Sequence, residues 1–513
     1  MEHPAPGSTE ELAAFAKLQD RLAALFRKVT DDPRAKNTVV VIPSLSLHPE
    51  ELAKITGVHH YEERLLYMLM LLRRPQTHLV LVTSQPLNAS VVDYYLHLLS
   101  GVPGNNARRR LHLLSCLDAS PIPLSAKILQ RPLLQKRIRE AIPDLERAHL
   151  SVFNSGPLER SVAVRLGLPL YAPDPALSDL GTKSGCRETF REAGVLLPPG
   201  FERLKDANQI VDGLDALKAD NPGLRKAVVK LNEGFSGEGN AVFHYLDCPK
   251  EGRKAWIRER LPDLEFVALT EVWPAFEAKF EEMGGVVEEF IEGEIKESPS
   301  CQSRVNALGK PMTISTHDQV LEGQVFLGCT FPARSEYRIA IQKAGYRVAE
   351  ILARKGVVGR FATDFVSVKN PKTLAWDHYA IEVNLRKGGT THPFLTLKFL
   401  TDGRYDHETG LFMTPTGRPK FYYASDTLQS DLYRGFSPDD LIDIAVYYDL
   451  HFHGASERGV VFHLMGALSE FGKLGIVCIG DNRQQTRFLY NKTVGVLDQE
   501  AQRHHGDRPN VQP

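Results

Sequence analysis

Ala380-Ile381-Glu382-Val383-Asn384-Leu385-Arg386 alternates apolar and polar side chains with period two, the pattern of a strand with two unlike faces. Ile381, Val383 and Leu385 fall on one face. Glu382, Asn384 and Arg386 fall on the other, as a row of acid, amide and guanidinium. Hard divalent cations take oxygen ligands, and phosphate takes an arginine fork. Shortly upstream, Phe361-Ala362-Thr363-Asp364-Phe365-Val366 reads as a second strand. Pairing of the two would set Asp364 beside Glu382 and Asn384 around Mg²⁺, as a site for a metal–nucleotide complex.

A phosphate-binding element lies further upstream. Ala227-Val228-Val229-Lys230-Leu231 is an apolar strand with one lysine, and it runs into Gly234-Phe235-Ser236-Gly237-Glu238-Gly239-Asn240 and then Ala241-Val242-Phe243. Three glycines between two strands let backbone N–H groups close over phosphates. An ordinary flexible hairpin explains the same glycines, but a lysine inside an apolar strand needs an anionic partner. Val286-Val287-Glu288-Glu289-Phe290-Ile291 is a further strand, ending at Glu292-Gly293-Glu294. Apolar side chains and exposed main chain at a strand end suit an adenine ring, and an ordinary edge strand with a charged turn suits the same text. Gly181-Thr182-Lys183-Ser184 lacks the spacing of a P-loop, and Asp364-Phe365-Val366 lacks the glycine of the kinase motif. A dinucleotide fingerprint needs a helix after its glycines, where here a strand follows.

The bulk composition limits the alternatives. At 513 residues the chain exceeds one core, and about two to four domains are expected. A net charge of −1 gives no global attraction to nucleic acid or anionic membrane. The six cysteines are scattered without metal-like spacing, as in reduced cytoplasmic proteins. The apolar tract 460–480 is interrupted by His463, Glu470, Lys473 and glycines, and so reads as core and not as a membrane span.

The order of elements predicts a mixed α/β chain. Residues 1–36 form a leading helix. Strands at 39–42 and 79–82 around a helix at 61–74 give a βαβ unit, so 37–175 is a Rossmann-like α/β domain. Residues 176–425 form an α+β region of two subdomains, with a glycine-rich lid at about 200–290. Ser178 is the expected cap of its first helix, and 225–330 reads mostly as strands and hairpins. A C-terminal α/β extension covers 426–500, and 501–513 reads as a frayed tail.

Taken in order, Lys183 on a helix, Lys230 on a strand, the hairpin 234–240, Glu288–Glu294, Asp364 and Glu382-x-Asn384-x-Arg386 resemble the ATP-grasp superfamily of carboxylate–amine ligases. The flanking text, notably 41–45, Ser315-Thr316-His317-Asp318 and Phe462-His463-Leu464, is similar to the peptide ligases of the pheganomycin-biosynthesis type. The resemblance implies ATP and two Mg²⁺ ions as cofactors. It implies Lys183, Lys230, Ser236, Gly237 and Gly239 at the triphosphate, Glu288, Phe290 and Ile291 at adenine, and Glu294 at ribose. Asp364, Glu382 and Asn384 match the metal ligands. Arg386, together with Lys230, matches the residues that stabilise the reacting groups. Arg304, Asp318, Arg360, Gly388, Gly389 and Thr390 are substrate candidates. The implied activity is amide or peptide bond formation through an acyl phosphate, on amino-acid or peptide substrates; a cytoplasmic location is expected from the cysteines, and a homodimer is the default oligomer. An ATP-binding module without ligation, or an ATP-grasp enzyme with another acceptor, is the competing reading. His451-Phe452-His453 offers two imidazoles, and the sequence supplies no third zinc ligand.

Overall fold

The computed structural model describes residues 3–99, 101–234, 239–268, 270–323 and 325–506. The leading helix, Thr9–Asp31, is capped by Ser8, whose side chain accepts from the Glu11 amide. Its buried Phe15, Leu22 and Leu25 recur at helical spacing. Glu11 anchors it by accepting from Arg160 and Ser161 of the helix Pro157–Leu166.

Strands Leu111–Ser115, Thr77–Thr83, Asn37–Ile42 and Ala148–Val152 lie side by side in that order. All three pairings are parallel. Val40 and Val41 are fully buried, as the central strand of a sheet covered on both faces requires. The expected helix between the first two strands is present as Val58–Arg73, wound as a 3₁₀ helix.

The expected lid is a separate antiparallel sheet of five strands, ordered Gly200–Leu204, Gly285–Glu289, Lys226–Leu231, Asn240–His244 and Glu265–Phe266. The helices Ala207–Asp220, Arg253–Arg260 and Trp273–Met283 cover one face through Ile210, Ile257, Phe276 and Phe280. Two of these helices fall in the 225–330 stretch that reads as strands and hairpins.

An eleven-stranded sheet carries the rest. Its strands Gly359–Lys369 and Trp376–Asn384 hold the acidic row, and the helix Arg338–Arg354 backs them through Ile341, Val348 and Leu352. The boundary expected at 425 falls inside the strand Pro419–Gln429. That strand pairs with Val325–Phe331 on one side and with Lys473–Gly480 on the other, so the sheet runs unbroken into the C-terminal region. The terminal helix Arg483–Gly506 extends into the expected tail, with Ala501 fully buried; residues 507–513 lie outside the described residues. Among the described residues no helix is long and apolar enough to cross a membrane.

Candidate active site

The two acidic strands pair antiparallel, with Asp364 opposite Glu382 and Ala362 opposite Asn384. Residues directly opposite share a face, so the three oxygen donors converge as their spacing implies. A bulge after Asp364 leaves Ile381 without a partner. It shifts the phase of the strand, so Ala380 and Val383 enter the core and Ile381 does not. Asn384 Nδ2 donates to Asp364 Oδ2 at 2.8 Å. Burial, with the Glu382 charge adding to it, pushes the Asp364 carboxyl up to about 6. Burial works the same way on Glu382, but the Lys183 ammonium, with Arg386 and Lys230, outweighs it and holds that carboxyl below its ordinary range.

Lys183 Nζ lies 2.6 Å from Glu382 Oε1. Lys183 opens the helix Lys183–Glu192, whose cap is Thr182 and not Ser178: the Thr182 hydroxyl accepts from the Gly185 amide, and Pro175–Gly181 is a separate 3₁₀ turn. Gly185 is required there, because a Cβ would stand 2.0 Å from the Asp179 carbonyl oxygen. Lys230 is buried in the lid sheet and pairs with Glu288 Oε1. Arg187, four residues after Lys183, holds Glu288 Oε2 at 2.9 Å. The Glu288 side chain is therefore held by two cations, Lys230 and Arg187.

The ammonium groups of Lys226 and Lys296 both lie over the Phe290 ring, and Glu294 is exposed. Ile291 is half-buried. Ser236 and Gly237 lie outside the described residues, whereas Gly239 closes the hairpin by accepting from the Leu231 amide. Burial lowers the Arg386 guanidinium below its ordinary value, and Glu382 opposes this. Gly388 and Thr390 lie in the turn into the helix Thr391–Thr401. At Gly389 a Cβ would meet the Phe326 ring at 2.7 Å, so its missing side chain makes room for Phe326.

Asp318 is a correction. It faces Pro299, one residue out of phase with Ser300 and Asp364, and so lies on the opposite face of the sheet. Its oxygens accept from Tyr337 at 2.7 Å and Arg483 at 3.0 Å, which makes it a structural tie. Arg304 and Arg360 stand opposite each other on the Asp364 face.

Sequence reading missed four further residues. Arg187 had a usable signal, since i and i+4 share a helix face. Arg64 and Asp426 had none, and His463 stood within the quoted stretch Phe462-His463-Leu464, without a partner. Arg64 lies over the Phe153 and Tyr61 rings and pairs with Asp426 at 3.3 Å, while His463 Nε2 is 2.8 Å from Asp426 Oδ1. His451 and His453 do gain a third neighbour, Asp449, with the three donor atoms within 4.8 Å of one another.

The helix Lys183–Glu192 ties the antiparallel five-stranded sheet, through Arg187 and Glu288, to the acidic strand pair, through Lys183 and Glu382, and this arrangement is similar to the ATP-grasp fold. Residues 175–264 and 266–408 match the family described as IQCH-like, ATP-grasp, and residues 440–493 match the PGM1 C-terminal domain. Among particular proteins, the chain is 28% identical to an L-propargylglycine–L-glutamate ligase of Streptantibioticus cattleyicolor, over 85% of this chain and 89% of that one. It is 22% identical to IQ motif-containing protein H of Danio rerio, over 98% of this chain but 51% of that longer protein. The biotin carboxylase–β,γ-ATP complex of Campylobacter jejuni shares the fold, with a TM-score of 0.50 at 12% identity over 88% of this chain and 89% of that one.

Proposed function

We propose that this chain is an ATP-dependent ligase that joins a carboxylate to an amine, with ADP and phosphate as the other products. The observation that carries the reading is the convergence of Asp364, Glu382 and Asn384 on one sheet face with Lys183 against it. The likeness to a ligase over most of both chains supports it.

Two carboxylates and an amide oxygen suit a hard cation, and Asp364 and Glu382 repel each other without one. These residues would hold Mg²⁺, which supplies charge neutralisation to a triphosphate when bound. On this reading Lys183 and Lys230 take the phosphate oxygens. Their present partners, Glu382 and Glu288, hold them in position until a nucleotide competes for them. The main chain at Phe290–Ile291 is left to read the base edge, with Glu294 beside it for ribose.

A carboxylate is a poor electrophile, and phosphorylation by ATP makes it an acyl phosphate with a good leaving group. The amine then attacks the acyl carbon, phosphate departs, and the amine proton goes to solvent or to the departing phosphate. Arg386 offers its guanidinium to the acyl phosphate oxygens, where preorganised charge lowers the barrier. Substrates are amino acids or short peptides on this reading, and a second copy of the chain is the expected partner.

The test is ATP turnover with Mg²⁺ across pairs of amino acids and short peptides, following ADP and product mass together. The expected outcome is ADP release that needs both an acid and an amine, with a product one water lighter than their sum, lost in Glu382→Ala. ATP hydrolysis indifferent to both substrates would contradict the reading.

A further inference from the structure

Arg304 and Arg360 are cross-strand neighbours on strands Pro299–Val305 and Gly359–Lys369. They share the face of Asp364, which lies four residues further along, about 13 Å at the rise of a strand. Two guanidinium groups side by side repel each other, and no carboxylate pairs with either among the described residues. Arg304 has the Met312 sulfur at 3.4 Å, while Arg304 Nε and one terminal nitrogen of Arg360 are buried without a hydrogen-bond partner. The same face carries Gln302, whose Nε2 is buried and unpartnered, and the Tyr67 hydroxyl is in the same condition. Buried donors left unpaired are costly, so a run of them marks a place where something else supplies acceptors.

Further cations add to this set. Burial, reinforced by Arg360 and Arg304 and then by Arg404 and Arg74, lowers the Lys398 ammonium. Lys398 lines a cavity of about 410 Å³ together with Arg73, Arg74, Arg404 and Asp402. Asp402 is the one acid in that wall, and Arg73 occupies it. Burial, with Arg360 adding to it, brings Lys387 down to about 7.

We propose that Arg304, Arg360 and Lys398 form a subsite for a carboxylate that the substrate carries at the end remote from its reacting group. The proposal rests on the ligase reading, which supplies the reacting end at Asp364 and Glu382. Paired guanidinium groups match a planar two-oxygen anion better than a point charge does. The 13 Å spacing, less the reach of an arginine, leaves room for a body of roughly one or two amino acids. Substrates with a distal carboxylate are then selected over their amides, because an amide leaves the buried cations unanswered.

The experiment uses the full chain saturated with Mg·ADP, so that the nucleotide site is filled. Thermal midpoints are followed against sodium phosphate and against sodium chloride of equal ionic strength, for the wild type, Arg304→Met and Arg360→Met. Phosphate should raise the wild-type midpoint by several degrees and lose at least half of that effect in each variant. The variants should start from a higher midpoint in chloride, because a mutual repulsion has been removed. Calorimetry with L-glutamate and Ala-Glu against L-glutamine and Ala-Gln separates a substrate carboxylate from free phosphate. At least one acid should bind 10-fold more tightly than its amide, and Arg360→Met should abolish the difference. Equal phosphate shifts in all three proteins, or no preference for the acids, would overturn the subsite. Failure of Mg·ADP itself to stabilise the wild type would instead overturn the ligase reading, and the same run shows it.

Discussion

Glu382 faces Asp364 across the strand pair and meets Lys183 of the helix Lys183–Glu192, so its carboxylate holds the ammonium that the proposed reading gives to a phosphate oxygen. Glu382→Gln keeps the shape and removes the charge. ATP turnover should fall about 100-fold or more, the size of effect seen when one preorganised charge is removed, while the chain still unfolds in one cooperative transition. A variant that turns over ATP normally would deny Glu382 its role. Lys387 gives a prediction in pH. Burial brings it to about 7 in the folded chain against 10.5 for a free lysine. Below pH 7 both folded and unfolded chains carry the proton, and the folded chain bears the full cost of a buried charge. Between 7 and 10.5 the unfolded chain binds more protons, so stability rises with pH. Urea midpoints at pH 7 and pH 9 should therefore climb for the wild type and climb less for Lys387→Met. Asp364, Glu382 and Asn384 were legible in the sequence because strand parity is a local property. Asp318 was misread because its face depends on which residue of the neighbouring strand it opposes, which the sequence does not state.

The helix Lys183–Glu192 and the strand Gly285–Glu289 act as a unit. The helix presents Lys183 to Glu382 and Arg187 to Glu288, one turn apart, and Glu288 returns the contact to Lys230 in the lid. Removing Glu288 leaves Lys230 buried without a partner, while Arg187 keeps Glu202 and the Pro198 carbonyl. Glu288→Ala should lose about 3–5 kcal/mol of stability in chemical denaturation, and a loss under 1 kcal/mol would show that the pairing is idle. Gly185→Ala tests the seat of the helix. A Cβ cannot stand 2.0 Å from the Asp179 carbonyl, so the first turn must shift and carry Lys183 with it. Overpacking of this kind costs about 1–3 kcal/mol. The Michaelis constant for ATP should rise with it, and an unchanged constant would separate helix position from nucleotide binding. The apolar strands were readable from periodicity. The helices at 253–260 and 273–283 were not, because short charged or aromatic runs between strands carry little period. The bulge at Ile381 has no signature in one sequence either.

Across the whole molecule, one apolar core runs from the parallel sheet through Phe331 and Phe394 to Ile476 and Leu497. Arg64 of the N-terminal region meets Asp426 on the shared strand, and His463 completes the contact. Residue separations of 362 and 37 put these contacts beyond any local pattern, which is why the C-terminal region read as an extension. It is instead part of the central sheet. A chain ending at residue 425 would expose the edge of Pro419–Gln429 and the apolar face beneath it, so it should aggregate on expression. A folded, monodisperse product with the wild-type midpoint would contradict the continuous core. The central claim, that this framework forms an acyl phosphate, is tested most directly by isotope transfer. An acid substrate found in the turnover screen is labelled with ¹⁸O in its carboxylate, and the phosphate released is weighed by mass spectrometry. The account predicts one ¹⁸O in each phosphate for each bond made. Unlabelled phosphate, formed while product accumulates, would contradict it.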